Sequence, residues 1–322
     1  MQRHALAVVT TSVLMLGAST AHAGYAFENI VDPGNPTFTQ ALGINDASTI
    51  VGYGNAAVFN GFQLVLPPVA VNFTRQNFPG ADGGTQVIGI SGTGTTVGFS
   101  VTGGVTNGFA QTGGTFTTVN QPGTAFNQLL GINKSGTTAA GYSSSDPAGA
   151  TLQKALTVSG GPSFASPTFT DINGLLPANF NSQATGVNDA GTVVGFYQYD
   201  LGGDFSAFTD ISGTIMSFLF PSALSTQALG INNLGEIVGD YIDSGGMMHG
   251  FLDNAGVFTT FDPSGSEGTT ANGINDQGQI VGFYVAGNNT VGFLAQPVPE
   301  PATALLFGTG LAGLACVRRR RR

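Results

Sequence analysis

Acidic side chains supply most of the chemistry that this chain of 322 residues could perform. Glu236, Asp240 and Asp243 lie within one short stretch, and Asp200, Asp204 and Asp210 within another. Paired carboxylates are what glycoside cleavage requires, one acid on each side of the scissile bond. The same residues also fit strand ends in water, where nothing tunes them for proton transfer. Asp46, Asp189 and Asp276 recur at one place in a repeated turn and offer the oxygen ligands that calcium takes. The dense Asp-x-Asp-x-Asp-Gly spacing of a calcium loop is absent, however, and turn formation accounts for these acids. Beyond the N-terminal leader only His249 remains, so no multi-histidine metal site can form. No Gly-x-Ser-x-Gly elbow accompanies it to activate a serine. The stretch from Gly89 to Gly98 lacks the Gly-Lys-Ser/Thr step of a phosphate loop. No catalytic, cofactor-binding or metal-ligating residue is therefore assigned, and a non-enzymatic protein is expected. The alternative is a glycan-binding or glycan-cleaving protein that uses paired carboxylates.

Aromatic residues leave two readings open. Tyr53, Tyr142, Tyr197, Tyr199, Tyr241 and Tyr284 each follow an apolar burst at a similar place. They could emerge together on one face and stack against sugars, or they could pack the core.

The elements that position these groups follow from a repeat. Six copies begin at Gly43-Ile44-Asn45-Asp46, Gly89-Ile90-Ser91-Gly92, Gly131-Ile132-Asn133-Lys134, Gly186-Val187-Asn188-Asp189, Gly230-Ile231-Asn232-Asn233 and Gly273-Ile274-Asn275-Asp276. After each comes a polar turn, then a burst such as Ile50-Val51-Gly52-Tyr53 or Val193-Val194-Gly195-Phe196. Two β-rich runs joined by Asn, Asp and Gly predict a hairpin. A third strand centres on steps such as Gly108-Phe109 and Gly250-Phe251, and a fourth on runs such as Phe258-Thr259-Thr260-Phe261. A unit of four short strands cannot bury both faces alone, and stacking such units radially yields a propeller. The expectation is all-β: a six-bladed β-propeller of four-stranded repeats over residues 24–297. The sixth copy lacks a fourth strand, and Tyr25 to Gly34 resembles one, so the N-terminal strand is expected to complete the last blade.

The two ends read differently. Arg3, the apolar run Ala5 to Ala18 and Ala21-His22-Ala23 predict a signal peptide over 1–23, cut by signal peptidase between Ala23 and Gly24. Without the ends, the body keeps only Arg75, Lys134 and Lys154 against seventeen acids, a net charge of −14. Nucleic acid, which needs clustered Lys and Arg, is excluded as a partner. The lone cysteine, Cys316, permits no intramolecular disulfide. Residues 298–322 hold Pro299, Glu300 and Pro301, the apolar run 302–317, and Arg318, Arg319, Arg320, Arg321 and Arg322. An apolar run followed by arginines predicts a transmembrane helix over 302–317 whose arginines form a cytoplasmic stop.

Two resemblances follow from these residues. The Gly-Ile-Asn-Asp and Ile-Val-Gly-Tyr segments resemble the HAF family of extracellular repeats, although only His249-Gly250-Phe251 keeps the histidine of its signature. That likeness implies an exported repeat protein and no particular chemistry. The Pro-Glu-Pro, helix and arginine order resembles the PEP-CTERM sorting signal. It implies processing at Pro299, Glu300 and Pro301 by an exosortase-like enzyme in a Gram-negative bacterium that exports exopolysaccharide. The expected course is a precursor anchored in the inner membrane, then a protein of the cell surface or extracellular matrix, associated with exopolysaccharide.

Overall fold

The computed structural model describes residues 21–22, 24–55, 57–65, 72–151, 153–172, 176, 181–198 and 203–298. Every regular element among them is a β-strand, and successive antiparallel meanders are arranged as a propeller. The expected signal peptide up to Ala23 lies outside the described residues, apart from Ala21 and His22. So do Pro299, Glu300, Pro301, the apolar run 302–317 and Arg318 to Arg322. Among the described residues no helix is long and apolar enough to cross a membrane.

The repeated turn sets the local geometry. In each copy the fourth turn residue has positive φ: Ser48, Gly94, Gly136, Gly191, Gly235 and Gly278. The first turn residue accepts the backbone N–H four positions on, as in Thr49 N to Asn45 Oδ1 (3.0 Å) and Gln279 N to Asn275 Oδ1 (2.9 Å). Asn thereby satisfies the turn's own backbone, which is why it recurs there.

The glycine in each apolar burst has a steric cause. Gly239 pairs with Phe251 across the hairpin, and a Cβ on Gly239 would lie 1.9 Å from the Gln227 carbonyl and 2.8 Å from the Phe251 ring. The same arrangement joins Gly52 to Phe62, Gly98 to Phe109, Gly195 to Phe208 and Gly282 to Phe293. All five phenylalanines are fully buried. Each burial of that size stabilises the fold by about 2–3 kcal/mol.

The inner strands are Thr39–Ile44, Gly84–Ile90, Phe126–Ile132, Asn181–Val187, Ser225–Ile231 and Gly268–Ile274. They surround a central channel and touch through glycine. A Cβ on Gly43 would lie 3.1 Å from Gly89 Cα, and one on Gly273 would lie 3.1 Å from Gly43 Cα, so the last inner strand meets the first. The closing sheet contains Tyr25–Ile30 paired antiparallel with Asn289–Pro297, so the N-terminal strand supplies the outer strand that the last repeat lacks. Asp32, just after it, is fully buried and grips the Arg75 guanidinium, with Nη2 2.7 Å from Oδ1.

Hydrogen bonding corrects the expectation of six separate four-stranded blades. The strands fall into five sheets, one of eight strands, one of five and three of four. The eight-stranded sheet arises because Phe59 and Gly84 form a parallel bridge between the first two repeats. Gly84 has no Cβ to hold the backbones apart; one placed there would lie 2.6 Å from the Phe59 carbonyl. The fifth strand of the closing sheet is Ala21–His22, paired with Tyr25 and Ala26.

The two described ends of the chain meet. Val298 N donates to Gly24 O (2.9 Å), and Tyr25 pairs with Pro297. A Cβ on Gly278 would lie 3.3 Å from Pro297, which puts this seam on the side of the ring that carries the Asn turns.

Candidate functional site

Side chains alternate along a strand, so every second residue of each inner strand faces the channel. One mouth is bounded by the repeated turns. Their polar groups link neighbour to neighbour: Asn188 Nδ2 donates to Asn232 O (3.2 Å), Asn232 Nδ2 to Asn275 O (3.1 Å) and Asn275 Nδ2 to Asn45 O (3.0 Å). A second chain of contacts lies outside it. Asp189 N donates to Asn233 Oδ1 (2.8 Å), Asn233 N to Asp276 Oδ1 (2.9 Å) and Asp276 N to Asp46 Oδ1 (3.0 Å). Lys134 reaches across this mouth to pair with both Asp46 and Asp276, the latter at 2.8 Å. Those two hydrogen bonds raise the lysine pKa. Burial opposes ionisation of Asp276, but Lys134 and Asn233 outweigh it and hold the carboxyl below its usual range. The acids considered for calcium are thus occupied by an ammonium and by backbone N–H groups. Among the described residues, no group of three His, Cys, Asp or Glu side chains is placed to hold a metal.

The channel narrows between Ile and Leu side chains and then opens at the far mouth into a cavity of about 480 Å³. Gln40, Gln86, Gln128, Gln183 and Gln227 rim this mouth. Gln183 donates to Gln153 (2.9 Å). The side-chain amides of Gln40, Gln86, Gln128 and Gln227 bond to no other described residue. Each glutamine pairs across its hairpin with an aromatic residue in four repeats: Gln40 with Tyr53, Gln86 with Phe99, Gln128 with Tyr142 and Gln183 with Phe196. Burial pushes the Tyr53 phenol up to about 12, so it stays neutral.

The last two repeats depart from this pattern. Gln227 pairs with Asp240 in place of an aromatic, and Thr270 takes the place of glutamine opposite Phe283. Both residues line the cavity, where the Thr270 hydroxyl lies beside Asp240 and donates to Met248 Sδ (3.6 Å). Asp240 is 6% exposed. Burial, opposed only by that hydroxyl, pushes its carboxyl up to about 7. Two residues along from Thr270, Asn272 lines the same cavity and its Oδ1 is buried without a hydrogen-bond partner. Asp240 carries the one ionisable carboxyl among the residues lining this cavity.

Among the described residues, the acids grouped by sequence do not converge as a catalytic pair. Asp240 faces the cavity, whereas Glu236 bonds Asn232 Nδ2 (2.7 Å) and Asn254 Nδ2 (3.2 Å) beside the opposite mouth. Asp243 caps its own turn, accepting from Gly245 N (2.8 Å) and Met247 N (2.9 Å). Asp210 is buried and accepts from Gly213 N (2.8 Å), Asp204 is exposed, and Asp200 lies outside the described residues. His249 sits between Asp262 (Nδ1, 2.7 Å) and Asp243 (Nε2, 3.4 Å). Burial works against its charge, but the two carboxylates prevail and raise its pKa. It also stacks on Tyr241, with ring centroids 5.2 Å apart.

The tyrosines split between two strand faces. Tyr53 pairs with an inner-strand glutamine at the cavity. Tyr197, Tyr241 and Tyr284 stand one position further along and bond outward to Ser217, Thr260 and Asn29. All of these and Tyr142 are buried, so they pack the repeats and form no common ring; Tyr199 lies outside the described residues. Asp240 and Thr270 could have been found in the sequence by aligning the six copies, since each breaks a column that its neighbours share.

Directly after the closing strand Asn289–Pro297 the chain enters its C-terminal segment. Residues 297–321 match the PEP-CTERM protein-sorting motif. No curated protein sequence matches the chain. Solved structures resemble it at low identity. TolB from Acinetobacter baumannii has a TM-score of 0.49 at 9% identity, over 78% of this chain and 65% of its own. This chain thus spans slightly under two thirds of TolB. The β-propeller domain of the Trilobed protease from Pyrococcus furiosus scores 0.49 at 7% identity, over 82% of this chain and 85% of its own. Trypanosoma rangeli sialidase scores 0.46 at 8% identity, over 84% of this chain and 55% of its own.

Proposed function

We propose that this protein is an exported, non-enzymatic component of the bacterial cell surface or extracellular matrix, sorted through its C-terminal segment. The match of residues 297–321 to the PEP-CTERM motif carries this reading. An exosortase-like enzyme would process the chain at Pro299, Glu300 and Pro301, after signal peptidase has cut between Ala23 and Gly24. Before processing, residues 302–317 would hold the precursor in the inner membrane, with Arg318 to Arg322 in the cytoplasm. The mature body would span 24–297 and associate with exopolysaccharide. We count it as six HAF-type modules. The six Asn- or Ser-initiated turns and the inner-strand glycines from Gly43 to Gly273 favour that number, with the Phe59–Gly84 bridge a local fusion of two modules.

Glu300→Ala tests the sorting step. Expressed in a host with an exosortase, the variant should stay membrane-bound at its precursor mass while the parent chain is shortened. Equal mature masses for the two chains would defeat the proposal.

A further inference from the structure

Five repeats share a glutamine at the rim of the 480 Å³ cavity, and five share an aromatic residue on the adjoining strand. The exceptions, Thr270 and Asp240, adjoin each other, so together they remove one amide and one ring from the same sector. Asn272 replaces the Leu, Ile or Thr that the other inner strands place there. The sector therefore groups a carboxyl, a hydroxyl and an amide oxygen beside Met248, in a wall otherwise lined mainly by glutamine, aliphatic and aromatic side chains.

The chemistry of this sector is acceptor-rich. Asp240 is more than nine-tenths buried, and no Lys, Arg or His pairs with it among the described residues. The Asn272 Oδ1 acceptor is buried and unpartnered. A buried carboxyl without a cation is costly, and so is a buried acceptor without a donor. Mutation toward the shared residues would remove both costs. A ligand bearing several N–H donors and a positive charge would satisfy both acceptors at once. The free glutamine amides beside them offer donors and acceptors suited to hydroxyl groups. The cavity has the size of sites that enclose a small organic molecule.

We propose that Asp240, Thr270 and Asn272 form a binding site for the ammonium group of a polyhydroxylated amine, of which a non-acetylated amino sugar is the simplest form. The ammonium would sit against Asp240 and the Asn272 oxygen, and the hydroxyls against the rim amides of Gln227 and Gln40. One carboxylate and neutral oxygens make a poor cage for a divalent ion, which takes six to eight oxygen ligands in the case of calcium. The site is independent of how the C-terminal segment is processed.

Calorimetry of the full chain at pH 7 against D-glucosamine, N-acetyl-D-glucosamine and D-glucose provides the test, repeated with Asp240→Asn and Asp240→Phe. Glucosamine should bind about tenfold more tightly than either neutral sugar, the worth of one charge-assisted hydrogen bond. Both variants should lose that preference. Asp240→Phe restores the aromatic residue of the other repeats and should fold at least as well as the parent, which circular dichroism would register. Absence of glucosamine binding, equal binding of the three sugars, or an unchanged preference in folded variants would overturn the proposal.

Discussion

Asn275 donates its side-chain amide to the backbone carbonyl of Asn45, 230 residues away in the chain. The same side chain orders its own turn, because its Oδ1 accepts from Gln277 N (3.1 Å) and Gln279 N (2.9 Å). One residue thus closes a local turn and joins the last repeat to the first.

Asn275→Ala should destabilise the fold by about 2 kcal/mol, since it leaves a buried carbonyl and two turn N–H groups without their partners. Urea denaturation should show a lower midpoint with an unchanged slope. A shallower slope would mean instead that the ring opens before the rest unfolds.

Deletion of residues 24–33 should lower the melting temperature sharply. It removes the strand Tyr25–Ile30 from the edge of Asn289–Pro297 and takes Phe27 and Ile30 out of the core. It also strips Arg75 of its buried partner Asp32. Calorimetric melting of the truncated and parent chains is the measurement, and equal melting temperatures would show that the ring closes without this strand.

Arg75→Ala should cost about 2–3 kcal/mol, at the low end for a broken buried pair because the Arg75 side chain is 39% exposed. Burial alone would raise the Asp32 pKa, but Arg75, Asn35 and Gly34 N hold it below the usual carboxylate range. Its contribution is present above the unfolded-state value and is lost as pH falls through the folded-state value. The variant should therefore lose part of the acid-side stability slope that the parent shows below pH 4, a difference seen by denaturation across that range.

Asp240 acts with the opposite sign. Its folded pKa, about 7, lies above the unfolded value, so its contribution is complete in acid and is lost as pH rises through 7. The difference corresponds to on the order of 4 kcal/mol between pH 4 and pH 8. Asp240→Asn should abolish this decline between pH 4 and pH 7 and gain relative stability at pH 8. Identical slopes for the two chains would show that Asp240 is hydrated rather than buried.

Much of the architecture was legible because local chemistry and global shape agree. Asn, Asp and Gly at the turns, Gly paired with Phe across five of the six hairpins, and an orphan strand at the N-terminus each left a mark in the sequence. What escaped was governed by register. Tyr53 and Tyr197 occupy neighbouring columns and so face opposite sides of their sheets, a difference of one residue that motif spacing blurs. Glu236, Asp240 and Asp243 looked like one acidic cluster, yet a strand rises about 3.3 Å per residue and draws them apart. The fusion of two repeats depends on one backbone approach at Gly84, which no pattern of residue types announces. Asp240 was visible as an acid but not as the lone exception in an aromatic column.

The seam between Gly24 and Val298 also fixes which way the molecule looks. Gly24 and Val298 both lie on the side of the ring that carries the Asn turns, opposite the glutamine rim. A tether drawn through either end therefore pulls on the same pole. A hold on the segment that follows Val298 would turn the open bowl with Asp240 in its wall toward the surrounding medium.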